Sequence, residues 1–372
     1  MTYRTGPKAA SLRREQNVDA VVIGDGLIGL STAYELARAS AAVCLLGAAC
    51  EGAASEAAAG LLAPSIGRLP DAVRDFFDAS LSLYPEFLAR IEQFDSTLGV
   101  QHGLIEVLPN ANGTPSTLPR GAVSLERREA EELGLSAPFG AVLYPDDGAI
   151  DNVRLVRALR AAASAEPTID WRAKTPATRI DVTNHSAAVH LDDGSVLHSD
   201  WIVLAAGAWS PHIAGLPRRL PVSPLKGQML SVELKPAPGT QRPIMSSDVY
   251  IVPRRDEIVV GATVEHAGFD LTSIDDSIER LRSAAVRVVP SLESASIKRR
   301  WAGTRPATPD MLPIIGADPE ASRLIYACGH SKNGILLAPA TARGVTSLVR
   351  GLPSEFELEP FSVTRFGSAA GR

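Results

Sequence analysis

The run Val21-Val22-Ile23-Gly24-Asp25-Gly26-Leu27-Ile28-Gly29 constrains the fold of this chain more than any other segment. Val18 to Ile23 is short, apolar, β-branched and bounded by glycine, which predicts a buried strand. Leu27 to Ala37 follows with good helix formers, and Ala42-Val43-Cys44-Leu45-Leu46 predicts a second buried strand. Strand, glycine turn, helix and strand in that order begin a parallel sheet with a right-handed crossover. In that context Gly24-x-Gly26-x-x-Gly29 reads as a dinucleotide-binding turn. Gly24 allows the tight bend, Gly26 lets the backbone approach a pyrophosphate, and Gly29 lets helix and strand pack closely. The helix N-terminus, with Leu27 and Ile28 in its first turn, then presents free N–H groups and a positive dipole end to the phosphates. One usual part is missing. The second strand of such a unit normally ends in Asp or Glu, which holds a ribose hydroxyl, and Gly47 stands there instead. Glu51 lies four residues on, where a solvated loop carboxylate is the simpler reading, so the ribose anchor stays unassigned.

Further along, residues 71–93 read as helical with Pro85 as a break or a helix start, and Asp151 to Ala163 predicts a strong helix. Asn184 to Leu197 alternates like a hairpin with Asp192-Asp193-Gly194 as its turn, and Trp201 to Ala206 predicts another buried strand. Residues 104–150 and 220–265 read as β-rich. Ile274 to Val289 predicts a helix, Leu324 to Ala327 a strand, and Gly334 to Gly351 a helix with Pro339 early in it. Parallel, buried strands therefore fall near residues 20, 45, 203 and 325, with antiparallel-looking material between them. A length of 372 residues suits two domains. The expected division is a discontinuous dinucleotide domain from 1–80, 151–215 and 300–372, and a second domain from 81–150 and 216–299.

Composition excludes more than it selects. A net charge of -5 gives no basic face for nucleic acid or for an anionic membrane surface. No run approaches the ~20 apolar residues of a membrane helix. Cys44, Cys50 and Cys328 form no CxxC pair, so no metal is expected, and sparse cysteine fits a reducing cytoplasm. Residues 1–17 are polar and read as a leader without export features.

Several segments, in order along the chain, carry a resemblance. They are Ala53-Ala54-Ser55-Glu56-Ala57-Ala58-Ala59-Gly60-Leu61-Leu62-Ala63-Pro64, Val203-Leu204-Ala205-Ala206-Gly207-Ala208-Trp209-Ser210, Pro224-Leu225-Lys226-Gly227-Gln228-Met229, Gly261-Ala262-Thr263-Val264-Glu265, Gly303-Thr304-Arg305-Pro306, and Gly329-His330-Ser331-Lys332-Asn333-Gly334-Ile335-Leu336-Leu337. Together they resemble the glycine oxidase and D-amino-acid oxidase superfamily of FAD-dependent oxidoreductases, glycine oxidase most of all. The resemblance implies an α/β fold: a discontinuous Rossmann-like FAD-binding domain with an inserted antiparallel-β-rich substrate domain. It implies cofactor contacts at Gly24, Gly26, Leu27, Ile28, Gly29, Ser55, Ala58, Ala59, Gly60, Leu61, Ala177, Ala206, Gly207, Trp209, His330, Asn333, Gly334, Ile335 and Leu336. Read from residues alone, Ser55 to Leu61 has small side chains that let backbone lie against a flat ring. Gly329 to Leu336 reads as a glycine-bounded turn at a helix start, and the resemblance implies that this helix aims its positive end at the pyrimidine edge of the flavin.

At the substrate end the resemblance implies that Arg305 binds a carboxylate, which a guanidinium does in a bidentate fork, and that Tyr250 faces the substrate. Unaided, these residues read equally as a surface arginine beside Pro306 and an aromatic on a strand. Val264 and Asp248 fall at further pocket positions. His330 is expected to hold its loop rather than act as a base, and Cys328 to be a small buried residue. Ser331 and Lys332 depart from the family, which usually has an aromatic and an arginine there. Serine removes bulk, and lysine keeps charge without the fork. The expected reaction is oxidation of glycine or an N-substituted glycine, N-alkyl or N-carboxymethyl, with Lys332 in the catalytic set beside Arg305 and Tyr250. Molecular oxygen is the second substrate. Covalent-flavin relatives carry a cysteine in the segment matching Trp301 to Asp310; its lack implies noncovalent FAD. A D-amino-acid oxidase, a quinone-linked dehydrogenase, a non-catalytic flavin-binding subunit and an NAD-binding module are the competing readings, and a homo-oligomer is compatible with all of them.

Overall fold

The computed structural model describes residues 18–67, 69–110, 118, 121–233 and 239–367. The leader read over residues 1–17 lies outside the described residues. Two sheets organise the chain. The first is the expected parallel sheet. Strand Val18–Ile23 pairs in parallel with Val43–Leu46 on one side and with Val196–Leu204 on the other, and Leu324–Cys328 extends it in parallel. Its strands are buried on both faces, and the side chains alternate accordingly. Ala20 and Val22 pack with the helices Leu27–Arg38, Asn152–Ala165 and Gly334–Val349, while Val21 and Ile23 pack toward Ile180, Val189 and Leu191 of a β-hairpin.

Three features differ from the sequence reading. Strand Ile169–Arg172 also joins the parallel sheet, beside Val43–Leu46. With Asp170 and Arg172 in four residues, it lacks the apolar run that marks its neighbours. The second arm of the expected hairpin and the strand expected at 201–206 are one element, Val196–Leu204. Its first half pairs antiparallel with Ala187–Leu191, and its second half enters the parallel sheet. Ser199 and Asp200 interrupt the apolar pattern where the strand passes between these environments. Strand Ile314–Ala317 adds an antiparallel edge beyond Leu324–Cys328.

The second sheet is mostly antiparallel. Its long pair is Ser223–Glu233 with Ile297–Ala307, followed by Glu257–Gly261, Tyr250–Pro253, Ile244–Met245, Gln101–Val107 and Ala141–Ala149. Helix Asp275–Val288 covers one face through Ile278, Leu281 and Ala285. The other face carries Met229, Val259, Tyr250 and Trp301. The expected domain boundaries at 80 and 300 cut through packed elements. Tyr84, Phe87 and Ile91 belong to the core of the first sheet, Leu61–Leu62 pairs with Ala141–Ala149, and Ile297–Ala307 is one strand. Among the described residues no helix is long and apolar enough to cross a membrane.

Candidate active site

A single cleft of about 1720 Å³ runs from the glycine turn of the first sheet to the uncovered face of the second. Gly24, Gly26, Leu27, Ile28, Ser55, Ala58, Ala59, Gly60, Leu61, Ala177, Ala206, Gly207 and Trp209 line it, as do Tyr250, Arg305, His330, Lys332, Asn333, Gly334 and Ile335. Gly29 and Leu336 are the two expected contacts that do not reach its wall. A Cβ on Gly29 would stand 1.7 Å from the Gly24 carbonyl oxygen, so this position serves the close packing of helix on turn. The Leu336 side chain is fully buried in the first core. Gly24 itself has a φ of 113°, which a side chain would not tolerate.

The first helix presents its free end to the cleft. Leu30 N–H is bonded to the Gly26 carbonyl, Leu27 N–H donates to Ser55 Oγ at 2.9 Å, and helix geometry leaves the Ile28 and Gly29 N–H groups without an intrahelical acceptor. The small-residue segment 52–60 is held from behind by its carbonyls. Thr304 N–H donates to Gly52 O, Asn152 Nδ2 to Ser55 O and Glu56 O, Trp301 Nε1 to Ala57 O, Arg254 to Ala58 O and Ala59 O, and Ile150 N–H to Gly60 O. Arg254 also donates to Asn152 Oδ1, so the two side chains form one clamp. Asn152 is fully buried and the Arg254 side chain is 7% exposed, with Asp151 and Glu257 about 4 Å away to balance its charge. Burial nevertheless pushes the Arg254 guanidinium below its ordinary range. Anchoring these carbonyls fixes a side-chain-poor segment along the cleft wall, with the Ala57 and Ala58 N–H groups bonded to Ala53 O and Ala54 O. The sequence reading of Ser55 to Leu61 found the segment but missed its clamp, because Asn152 and Arg254 lie far from it in sequence.

The helix Gly334–Val349 points its N-terminus into the same cleft through Asn333, Gly334 and Ile335. Pro339 removes the N–H that would bond the Ile335 carbonyl. Tyr84 Oη donates to that carbonyl instead. Ser80 Oγ is inserted in the next ladder rung, donating to Leu336 O at 2.8 Å and accepting from Ala340 N–H at 3.2 Å. Pro339 was the available signal for these two supports, since a proline in a helix orphans the carbonyl four residues before it. Preceding this helix, His330 Nε2 lies 3.1 Å from Thr341 Oγ1, and its main-chain O accepts from Asn333 N–H. Burial drops the His330 imidazole to about 3, which keeps it neutral and agrees with a structural part in the loop. Ser331 is buried with a φ of 51°, and its hydroxyl turns back to the Gly329 carbonyl. Lys332 is exposed on the cleft wall. The Cys328 thiol, buried at the end of its strand, is pushed up to about 12.

On the second sheet, Arg305 and Tyr250 come together although 55 residues separate them in sequence. The Arg305 guanidinium occupies the space a Gly227 side chain would need, with its nitrogens 2.3 and 2.5 Å from an ideal Cβ there, and it donates to the Thr263 carbonyl at 3.1 Å. The Tyr250 ring fills the corresponding space at Gly261. Burial raises the Tyr250 phenol, and the adjacent Arg305 opposes that shift through charge and a hydrogen bond. Two glycines on paired strands thus clear room for a cation and a hydroxyl side by side. Asp248 and Val264 also line the cleft, and Asp248 pairs with Arg287 at 3.2 Å on the surface. Trp209 stacks on Phe269 with centroids 5.0 Å apart.

A family model described as FAD dependent oxidoreductase matches residues 19–348. The glycine oxidase of Pseudomonas putida is 33% identical over 361 residues, covering 92% of this chain and 97% of that protein. The bifunctional protein ThiO/ThiG of Trichormus variabilis is 34% identical over 371 residues, covering 95% of this chain and 56% of that one, so this chain spans about half the length of such bifunctional relatives. The crystal structure of glycine oxidase from Geobacillus kaustophilus superposes with a TM-score of 0.85 at 29% identity, covering 94% of this chain and 99% of that one. That of iminodiacetate oxidase from Chelativorans sp. BNC1 gives 0.81 at 25% identity, covering 92% and 98%. The glycine turn, the parallel sheet behind it and the cleft between the two sheets agree with these matches: the chain belongs to the family of FAD-dependent oxidoreductases.

Proposed function

We propose that this chain is an FAD-dependent oxidase of glycine or an N-substituted glycine. The single observation that carries the reading is the juxtaposition of Arg305 and Tyr250 on the second sheet, across one cleft from the glycine turn. The cleft suits noncovalent FAD. Gly24, Gly26 and the first helix N-terminus offer a pyrophosphate site, the 55–61 segment a flat, side-chain-poor bed, and Ala177 with Ala206 and Gly207 an adenosine-side wall. Cys50 and Cys328 line the cleft, but the raised pKa of Cys328 makes it a poor nucleophile. When bound, FAD supplies the hydride acceptor.

The protein's part is orientation. Arg305 takes the substrate carboxylate in a fork, and the neighbouring Tyr250 hydroxyl donates to the same group. That pairing fixes the α-carbon over the bed formed by residues 55–61. The N-terminus of Gly334–Val349 places positive potential at the same end of the cleft and favours the negative charge that accumulates there on reduction. The amine is oxidised by two electrons to an imine, which water hydrolyses to glyoxylate and ammonia or a primary amine. Oxygen takes the electrons and leaves as hydrogen peroxide. Ser331 leaves space, and Lys332 sets a second cation on the wall, which suits an N-alkyl or N-carboxymethyl substituent. The iminodiacetate oxidase fold match accords with the latter. A cytoplasmic location fits three free cysteines.

Oxygen consumption and peroxide release with glycine, sarcosine, longer N-alkyl glycines, iminodiacetate and D-alanine test the reading. The expected order places an N-substituted glycine first. Strong preference for free glycine removes the N-substituent from the proposal, and preference for D-alanine replaces it with D-amino-acid oxidation. Electron transfer to a quinone without peroxide marks a dehydrogenase. Acid precipitation should release the flavin to the supernatant.

A further inference from the structure

We propose that Asp25 is the adenosine ribose anchor of this chain, taking over from the missing carboxylate at Gly47. The inference rests on the FAD reading above and concerns where the cofactor's sugar is held.

Gly47 directly follows strand Val43–Leu46, where an acidic side chain normally accepts from ribose hydroxyls. Its backbone is fixed on both sides: its N–H donates to Arg172 O at 2.9 Å, and its carbonyl accepts from Thr175 N–H at 2.8 Å. An ideal Cβ at Gly47 would lie 2.1 Å from Asp25 Oδ2 and 2.3 Å from Asp25 Cγ. The Asp25 carboxylate therefore already fills the space where a side chain at 47 would begin. The two arrangements exclude each other, since a Glu at 47 has no room while Asp25 is there. Asp25 sits inside the glycine turn and lines the cleft beside Ala48, Ala49, Lys174 and Ala177.

The carboxylate is aimed as well as present. Trp171 Nε1 donates to Asp25 Oδ2 at 3.3 Å from strand Ile169–Arg172, whose Leu45–Trp171 register lays the indole beside the end of the second strand. An ionised carboxylate has about four acceptor sites, so this one bond leaves capacity for a vicinal diol. Burial raises the Asp25 carboxyl, opposed by the Trp171 bond and the Arg160 charge. Two hydroxyl donors would supply the solvation that burial removes. A negative group here also opposes a 2′-phosphorylated ribose, so the site selects a free 2′-hydroxyl. Glu51 and Glu56, the other carboxylates lining the cleft near Asp25, are exposed, and Glu56 is paired with Arg160.

Titration of the folded apoprotein with FAD, and with an FAD analogue lacking the adenosine 2′-hydroxyl, followed by flavin fluorescence, tests the assignment. Wild type should favour FAD over the analogue by roughly tenfold, the size of one hydrogen bond to a charged acceptor. Asp25→Ala should weaken FAD by at least that factor and bind the two dinucleotides alike. Gly47→Glu alone should weaken FAD, and Gly47→Glu in the Asp25→Ala background should restore both affinity and discrimination. Such rescue is outside what a merely structural Asp25 would show. Wild-type FAD affinity and discrimination in Asp25→Ala overturn the assignment, as does their loss in Glu51→Ala instead. Folded wild type that binds neither dinucleotide overturns the flavin reading and this assignment together.

Discussion

The two ends of the cleft are built from different materials. At the proposed dinucleotide end the groups are mostly backbone, with the Asp25 carboxylate beside them: the N–H groups after Gly26, the side-chain-poor segment 55–61, and the turn that Gly24 and Gly29 permit. At the proposed substrate end they are side chains, Arg305 and Tyr250, set on separate strands and admitted by Gly227 and Gly261. Backbone sites need a particular local conformation, so they leave a local glycine signature. Side-chain sites need distant strands to meet, so the glycines that admit them, Gly227 and Gly261, stand apart in sequence from the residues they serve.

The largest effect expected from that difference is at Arg305. Arg305→Ala should lower kcat/KM by about 10²–10³-fold, the loss of a bidentate charge-assisted pair, while FAD content stays at the wild-type level. Arg305→Lys should recover only part, because the ammonium lacks the fork. Steady-state kinetics with flavin quantification check this; loss of flavin in step with activity would break the separation of the two ends.

A smaller effect is expected at the clamp behind the proposed flavin bed. Arg254→Ala frees the Ala58 and Ala59 carbonyls and leaves Asn152 Oδ1 without its donor. FAD affinity should fall roughly tenfold or more, at one lost charged hydrogen bond, with a shifted flavin absorption band and KM little changed in the FAD-saturated enzyme. Arg254→Lys should restore part of the affinity. A raised KM with unchanged flavin affinity would assign Arg254 to the substrate end instead.

The smallest effect is in pH dependence. Asp147, buried on strand Ala141–Ala149, accepts from Ser65 Oγ at 2.8 Å and Ser65 N–H at 3.1 Å, holding the loop whose Ala63, Ile66 and Gly67 line the cleft. Burial pushes its carboxyl up to about 6. A raised folded value means that the folded state holds the proton more tightly. Its contribution is therefore fully present below the ordinary value near 4 and is lost as pH rises through about 6. Asp147→Asn should flatten stability across that window and add about 1–2 kcal/mol at neutral pH in thermal or denaturant unfolding. An unchanged profile would show that Asp147 does not titrate there.

The same contrast governs what could be read in the sequence. The strands at 18–23, 43–46 and 324–328, and the 201–204 half of Val196–Leu204, were legible because burial on both faces demands apolar runs. Ile169–Arg172 was not, because its pairing with Val43–Leu46 supplies the stability that its composition does not. The proposed cofactor loop was legible as a row of small residues, but its supports were not: Asn152, Arg254 and Trp301 act from elsewhere in the chain. Arg305 and Tyr250 were found by resemblance. Their convergence depends on the register of Ser223–Glu233 with Ile297–Ala307, which no local pattern encodes.

The most direct measurement is anaerobic mixing of the flavin-loaded wild type and Arg305→Ala with an N-substituted glycine such as sarcosine or iminodiacetate, followed by flavin absorbance. Rapid bleaching in wild type, with Arg305→Ala loaded to the same extent but bleaching about 10²–10³-fold more slowly at low substrate, is the expected result. Wild-type flavin that no glycine, N-substituted glycine or D-amino acid bleaches, or equal bleaching in both proteins, would contradict a substrate site on the second sheet.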